Sequence, residues 1–208
     1  MTARWNYGFV RGSARPVVLP DDVIAVLSSD ARISNVQLTG SRANGQAIPL
    51  SDWDFAITAT AFEDVRDALP EMVRPLHPVV AQWDRLSRTW CYMLILPGPA
   101  KVDLLFGRPH QPAGPWQVNA TTLAGIDDHF WDWALWLRSK LARRDDIVAG
   151  ELRKMHEHLL APMGVTCAPA NLGEAVTAYR AAREKCERRL GSYVSRNAEN
   201  TVIPLRRP

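Results

Sequence analysis

The chain is poor in the features that most quickly place a protein. It holds only three cysteines in 208 residues, Cys91, Cys167 and Cys186. They are widely spaced and odd in number, which supports neither a disulfide framework nor a CxxC zinc site. Apolar runs such as Cys91 to Leu96 fall far short of the roughly 20 residues of a membrane-spanning helix. Behind Arg4 the N-terminal run Met1 to Tyr7 has no apolar segment, so no secretory signal is read there. The pattern GxxxxGK[ST] does not occur, which excludes a P-loop, and neither HRD nor DFG marks a protein kinase. Charge of one sign is scarce too, with a net of +3. Residues 1–115 carry 11 basic and 11 acidic side chains, and residues 116–208 carry the remaining 14 and 11. Solvated helix faces and the pairs Arg188-Arg189 and Arg206-Arg207 account for that excess, so nucleic acid is not an expected partner. Together these absences predict a cytoplasmic protein without a membrane partner.

What is present is an ordinary globular composition, 47% apolar and 23% charged, in a length suited to one sizeable domain or two small ones. The first half alternates helical and extended patterns. Pro20-Asp21-Asp22 opens a helix with acids at the positive end of its dipole, and Val23, Ile24 and Leu27 form its apolar face. Asn35 to Thr39 reads as a strand running into Gly40-Ser41, and Asp52 to Thr58 alternates as a half-buried strand does. A helix over Phe62 to Leu69 and strands over Val79 to Trp83, Thr89 to Leu96 and Lys101 to Phe106 follow. The run PHQPAGP, Pro109 to Pro115, has linker composition. Beyond it the pattern is helical: Asp127 to Arg143, with Phe130, Ala134, Leu137 and Leu141 as its apolar stripe, then Asp146 to Leu160 and Asn171 to Ser195. The predicted fold class is α+β, a mixed sheet with flanking helices over 1–115 followed by a helical bundle over 116–208.

Chemistry concentrates in Val36 to Ile57, VQLTGSRANGQAIPLSDWDFAI. Asp52 and Asp54 stand two apart on a strand, so both carboxylates leave one face. Carboxylates that close repel each other unless a cation lies between them, and a divalent metal is the natural partner. Asp103, in the middle of KVDLLF, is costly inside a sheet unless it reaches the same cation. Gly40-Ser41 marks a strand-to-turn junction that exposes backbone N–H groups and a hydroxyl, the equipment for holding phosphate. Metal, phosphate and three carboxylates together describe phosphoryl or nucleotidyl transfer.

Gly40-Ser41, ten intervening residues, Asp52-Trp53-Asp54 and a third acid on a later strand resemble the signature of the DNA polymerase β-like nucleotidyltransferase superfamily. GSRANG…SDWDF is most similar to the small bacterial nucleotidyltransferases that modify aminoglycoside or lincosamide antibiotics. The resemblance spans Val36 to Phe106. It implies that Gly40 and Ser41 bind the β- and γ-phosphates of ATP, that Asp52 and Asp54 hold Mg²⁺, and that Asp103 completes the metal site, acts as general base, or both. Trp53 departs from the small aliphatic residue usual between the two acids; pointing away from the carboxylates, it alters packing rather than chemistry.

Arg42 stands next to Ser41, where it either reaches a phosphate or faces solvent. Asp132, Trp136 and Lys140 fall at i, i+4 and i+8 on one helix ridge, and the resemblance implies a lysine from this helix, Lys140, at the triphosphate. The negative charge of acids and triphosphate calls for such a fixed cation, for which Arg143 and Arg144 are the next choices. Asp127, Asp128 and Asp132 at the junction of the two halves suit a polycationic acceptor. His156 and His158, two apart on a helix, read as surface residues. The expected partners are a nucleoside triphosphate and a small-molecule acceptor, in a monomer or homodimer. A nucleotidyltransferase that modifies a protein or a tRNA, and a degenerate relative that only binds nucleotide, are the competing readings.

Overall fold

The computed structural model describes residues 19–143 and 145–203. The N-terminal run Met1 to Tyr7, Arg144 and the Arg206-Arg207 pair lie outside the described residues. Five strands form one mixed sheet: β1 (Ile33–Thr39), β2 (Trp53–Ala59), β3 (Val80–Trp83), β4 (Thr89–Leu96) and β5 (Ala100–Pro109), in the order β1-β2-β5-β4-β3. Every neighbouring pair is antiparallel except β2 with β5 at the centre. The helices are α1 (Asp21–Ser28), the single turn α2 (Gly40–Ala43), α3 (Phe62–Met72), α4 (Leu123–Ala142), α5 (Val148–Met155), α6 (Leu172–Leu190) and α7 (Asn197–Val202).

The continuous apolar run in β4 is explained by burial on both faces of the sheet. Tyr92, Leu94 and Leu96 point into a core shared with α1 and α3, through Val23, Leu27, Val65 and Leu69. Ile95, on the alternate face, joins Val80 in a second core built with Phe130, Trp131 and Tyr179 of the helical half. The two halves therefore share hydrophobic packing, although residues 110–122 between them form no helix or strand.

Several helices differ from the sequence pattern for local reasons. Helix α3 runs three residues past Leu69, through Pro70, to Met72; a proline in the last turn removes one hydrogen bond from a ladder that is ending there anyway. Helix α4 begins four residues before Asp127, and its stripe stops short, because Leu141 is 46% exposed while Phe130, Ala134 and Leu137 are buried. Helix α5 widens into a π-turn over His156–Leu160. Helix α6 opens with a capping box, in which the Asn171 side chain accepts from the Glu174 N–H and Glu174 reaches back to Ala170 N–H. It stops at Gly191, whose φ of 63° supplies the left-handed C-terminal turn, and the chain re-forms a helix only at α7.

Candidate active site

The register of the sheet brings the three acids together. Thr39, the last residue of β1, lies opposite Asp54 on β2, and Asp54 lies beside Asp103 on the parallel strand β5. Asp52, just ahead of β2, joins them: one carboxylate oxygen from each of Asp52, Asp54 and Asp103 lies within 4.8 Å of the other two. Gly40 packs directly against this group. Its φ is 66°, and a Cβ there would sit 2.2 Å from Asp54 Oδ2. Glycine is required twice over, by the backbone conformation and by the carboxylate in front of it.

The cluster is electrostatically strained without a cation. Burial pushes the Asp54 carboxyl up to about 6, and the negative charges of Asp52 and Asp103 add to the rise, while Lys101 and Lys140 oppose it. Asp103 is raised as well, by burial first, with Lys101 pulling it down. Three hard oxygen donors this close, with the charges of Asp54 and Asp103 disfavoured by burial, fit a divalent cation of the magnesium type.

Ser41 follows Gly40 in the single turn α2 and is half-buried. Arg42 does not face open solvent. Its Nε donates to the carbonyls of Ser51 (3.1 Å) and Asp52 (3.0 Å), and its guanidinium stacks 3.8 Å over the Trp53 ring. Arg42 therefore holds the backbone on which Asp52 is mounted. This also gives Trp53 its place: it packs against the sheet core and supports Arg42.

From the helical half, the ridge Asp132-Trp136-Lys140 of α4 turns toward the acids. Lys140 Nζ lies 4.7 Å from the Trp136 ring centroid, and its charge lowers the Asp54 pKa. Asp132 and Trp136 line a cavity of about 290 Å³, together with Asp103, Asp84, Trp133 and Glu151.

Asp132 is not simply an acid offered to a ligand. The buried Lys101 ammonium donates to Asp132 Oδ1 (2.8 Å) and Oδ2 (2.9 Å) and to Asp103 Oδ1 (2.6 Å). Burial works against that ammonium, but Asp103 and Asp132 outweigh it and hold its pKa well above the ordinary lysine value. Burial also pushes the Asp132 carboxyl up to about 7, with Lys101 opposing. Lys101 escaped the sequence reading. The available signal was its position two before Asp103 on β5, which puts both side chains on one face.

Asp127, expected to suit a cationic acceptor, is not available to one. It is buried in the helical core, where Oδ1 accepts from Tyr179 Oη (2.5 Å), Arg183 (3.0 Å) and Trp131 Nε1 (3.3 Å), so it braces α4 against α6 and faces no acceptor. Asp128 is half-buried, and burial with the Asp127 charge pushes it up to about 7. The two histidines of the π-turn are half-buried rather than on the surface. A ring nitrogen of His156 pairs with the Val165 carbonyl at 3.0 Å, and His158 lines the cavity.

No family model and no curated protein matches the chain. Solved structures are similar to it. One, described as the polymerase core of TRAMP, an RNA surveillance complex, aligns with 60% of this chain at 11% identity and a TM-score of 0.36, and the chain spans 40% of that protein's length. An aminoglycoside 6-adenyltransferase from Bacillus subtilis aligns over 86% of this chain and 92% of its own, at 14% identity and a TM-score of 0.33. Among the described residues no helix is long and apolar enough to cross a membrane.

Proposed function

We propose that this chain is a Mg²⁺-dependent nucleotidyltransferase that moves AMP from ATP to a hydroxyl of a small, cationic acceptor of the aminoglycoside or lincosamide type. The observation that carries this reading is the carboxylate triad, with oxygens within 4.8 Å, packed against Gly40 beside Ser41. Asp52, Asp54 and Asp103 hold the metal, which when bound neutralises charge on the attacking and leaving oxygens. Gly40 and Ser41 receive the β- and γ-phosphates, and Lys140 supplies a fixed cation near the leaving pyrophosphate. Arg42, engaged on Ser51, Asp52 and Trp53, shapes the site rather than gripping phosphate.

The acceptor hydroxyl oxygen attacks the α-phosphorus, the bond from that phosphorus to the bridging oxygen breaks, and pyrophosphate departs with the electron pair. The hydroxyl proton passes to the Asp103 carboxylate, which lines the cavity assigned to the acceptor. The cavity beside Asp103 is walled by Trp133 and Trp136, and its acids Asp84, Asp103, Asp132 and Glu151 outnumber Lys101 and Lys154, the latter paired with Glu151; that excess of acid supports an acceptor with amine groups and an apolar face.

The test is incubation of the purified chain with ATP, Mg²⁺ and a panel of aminoglycosides and lincosamides, read by mass spectrometry. The expected result is an acceptor heavier by one AMP, with pyrophosphate released, and loss of both products in Asp52→Ala and Asp54→Ala. Turnover that survives either substitution overturns the assignment. A protein or tRNA that gains AMP while the panel stays unmodified replaces the acceptor class and keeps the chemistry.

A further inference from the structure

Helix α4 meets the supports of the triad at two points about three turns apart. Near its middle, Asp132 accepts from Lys101, whose ammonium also grips Asp103 Oδ1. At its C-terminal cap, Arg143 donates to Ser51 Oγ at 2.6 Å and to the Gln46 carbonyl at 3.3 Å. Ser51 is buried, and it immediately precedes Asp52. Its hydroxyl also accepts from Ile48 N–H at 2.9 Å, and its carbonyl is held by Arg42. Asp132 and Arg143 are 11 positions apart, which at 100° per residue returns them to nearly the same helix face, separated by about 16 Å of axial rise. One rigid rod therefore touches the mounting of Asp103 with one side chain and the mounting of Asp52 with another.

We propose that α4 sets the spacing of the metal-binding carboxylates through these two bridges, Asp132–Lys101–Asp103 and Arg143–Ser51–Asp52. Asp132 and Arg143 act on the metal site as positioning residues, through Lys101 and Ser51, and neither is itself a ligand of the metal. The inference rests on reading the triad as a metal centre. Its physical basis is that three acids which repel one another drift apart when nothing holds them, and a cation then meets a looser set of donors. Asp132 has a second effect: it shares the Lys101 ammonium, so that this charge does not fall wholly on Asp103 and oppose the incoming cation. Partners at this remove from a metal commonly change its affinity by about 10- to 100-fold.

The test is Mn²⁺ binding to the full chain, followed by electron paramagnetic resonance of the free ion, alongside thermal melts. The variants are Asp132→Asn, which keeps an acceptor for Lys101, and Arg143→Ala and Arg143→Lys at an exposed helix end. Both Asp132→Asn and Arg143→Ala are expected to weaken Mn²⁺ binding by about 10-fold. Arg143→Ala should melt near the wild-type temperature, and Arg143→Lys, whose ammonium still reaches toward Ser51, should recover part of the affinity. Wild-type affinity in Arg143→Ala, or equal weakening in Arg143→Lys and Arg143→Ala, overturns the positioning role. Failure of the wild-type protein itself to bind Mn²⁺ overturns the metal-centre reading beneath it.

Discussion

Replacing Asp54 with asparagine should stabilise the protein when no metal is present. The structure supplies both the sign and the size. In the folded chain the Asp54 carboxyl is pushed from 3.8 to about 6, by burial and then by Asp52 and Asp103. Because the folded value lies above the unfolded one, the associated stability is fully present below about pH 4, where both states hold the proton. It is lost as the pH rises to about 6, and above that the full penalty applies. The shift corresponds to ~3 kcal/mol before correction; solvent reaches the group, and screening reduces the penalty to ~1–2 kcal/mol. For a chain of this length that is about 2–8 °C in Tm. Melts followed by circular dichroism in chelator should therefore show Asp54→Asn above wild type at about pH 7.5, with the gap closing at about pH 4. Saturating Mg²⁺ should reverse the order, because only the wild type gains from binding the ion. A gap of the same size at both pH values, or none at neutral pH in chelator, would refute the argument that burial and the neighbouring acids together penalise the Asp54 charge.

Gly40→Ala should abolish transfer and lower Tm, since the new methyl would lie 2.2 Å from Asp54 Oδ2 on a backbone with φ of 66°; a variant with wild-type turnover would show that this junction is slack. Lys140→Ala should lower kcat/KM by about 10- to 1,000-fold in steady-state assays, as loss of one stabilising donor does, and should leave the melting temperature nearly unchanged. Asp127→Ala should act on stability: removing one partner from a buried Arg183 and Tyr179 is expected to cost ~3–5 kcal/mol in urea denaturation. Kinetic constants measured on the fraction that remains folded should stay close to wild type.

The sheet half of the molecule was largely legible in the sequence, because its signals are short in range. Alternation marked β2, the apolar run marked β4, and the turn at Gly40-Ser41 followed by Asp52 and Asp54 marked the site. The helical half was less so. Gly191 and the Asn171–Glu174 capping box set the limits of α6, whereas the helical pattern alone extends to Ser195. The distant partners of Lys101, Asp132, Asp127 and Arg143 are out of reach of sequence patterns for another reason. Lys101 meets a partner 31 positions away, Asp127 one 56 positions away and Arg143 one 92 positions away. No periodicity within a helix or strand records which distant residue it will face. An acid near a predicted helix start looked free for a ligand because the four extra residues of α4, and α6 packed against it, were not visible.

The single parallel pair in the sheet has a kinetic consequence. Parallel neighbours cannot be joined by a tight turn, so the chain leaves β2, builds α3, β3 and β4, and only then lays β5 beside Asp54. The two halves of the acid cluster are about 50 residues apart, and closing that loop carries an entropic cost that local contacts do not repay. Asp52 and Asp54 can be in place on a hairpin of β1 and β2, but Asp103 arrives only when the centre of the sheet closes. The mutual repulsion of the three acids is therefore felt late, at the step that completes the fold, which makes that step the one that bound metal should accelerate.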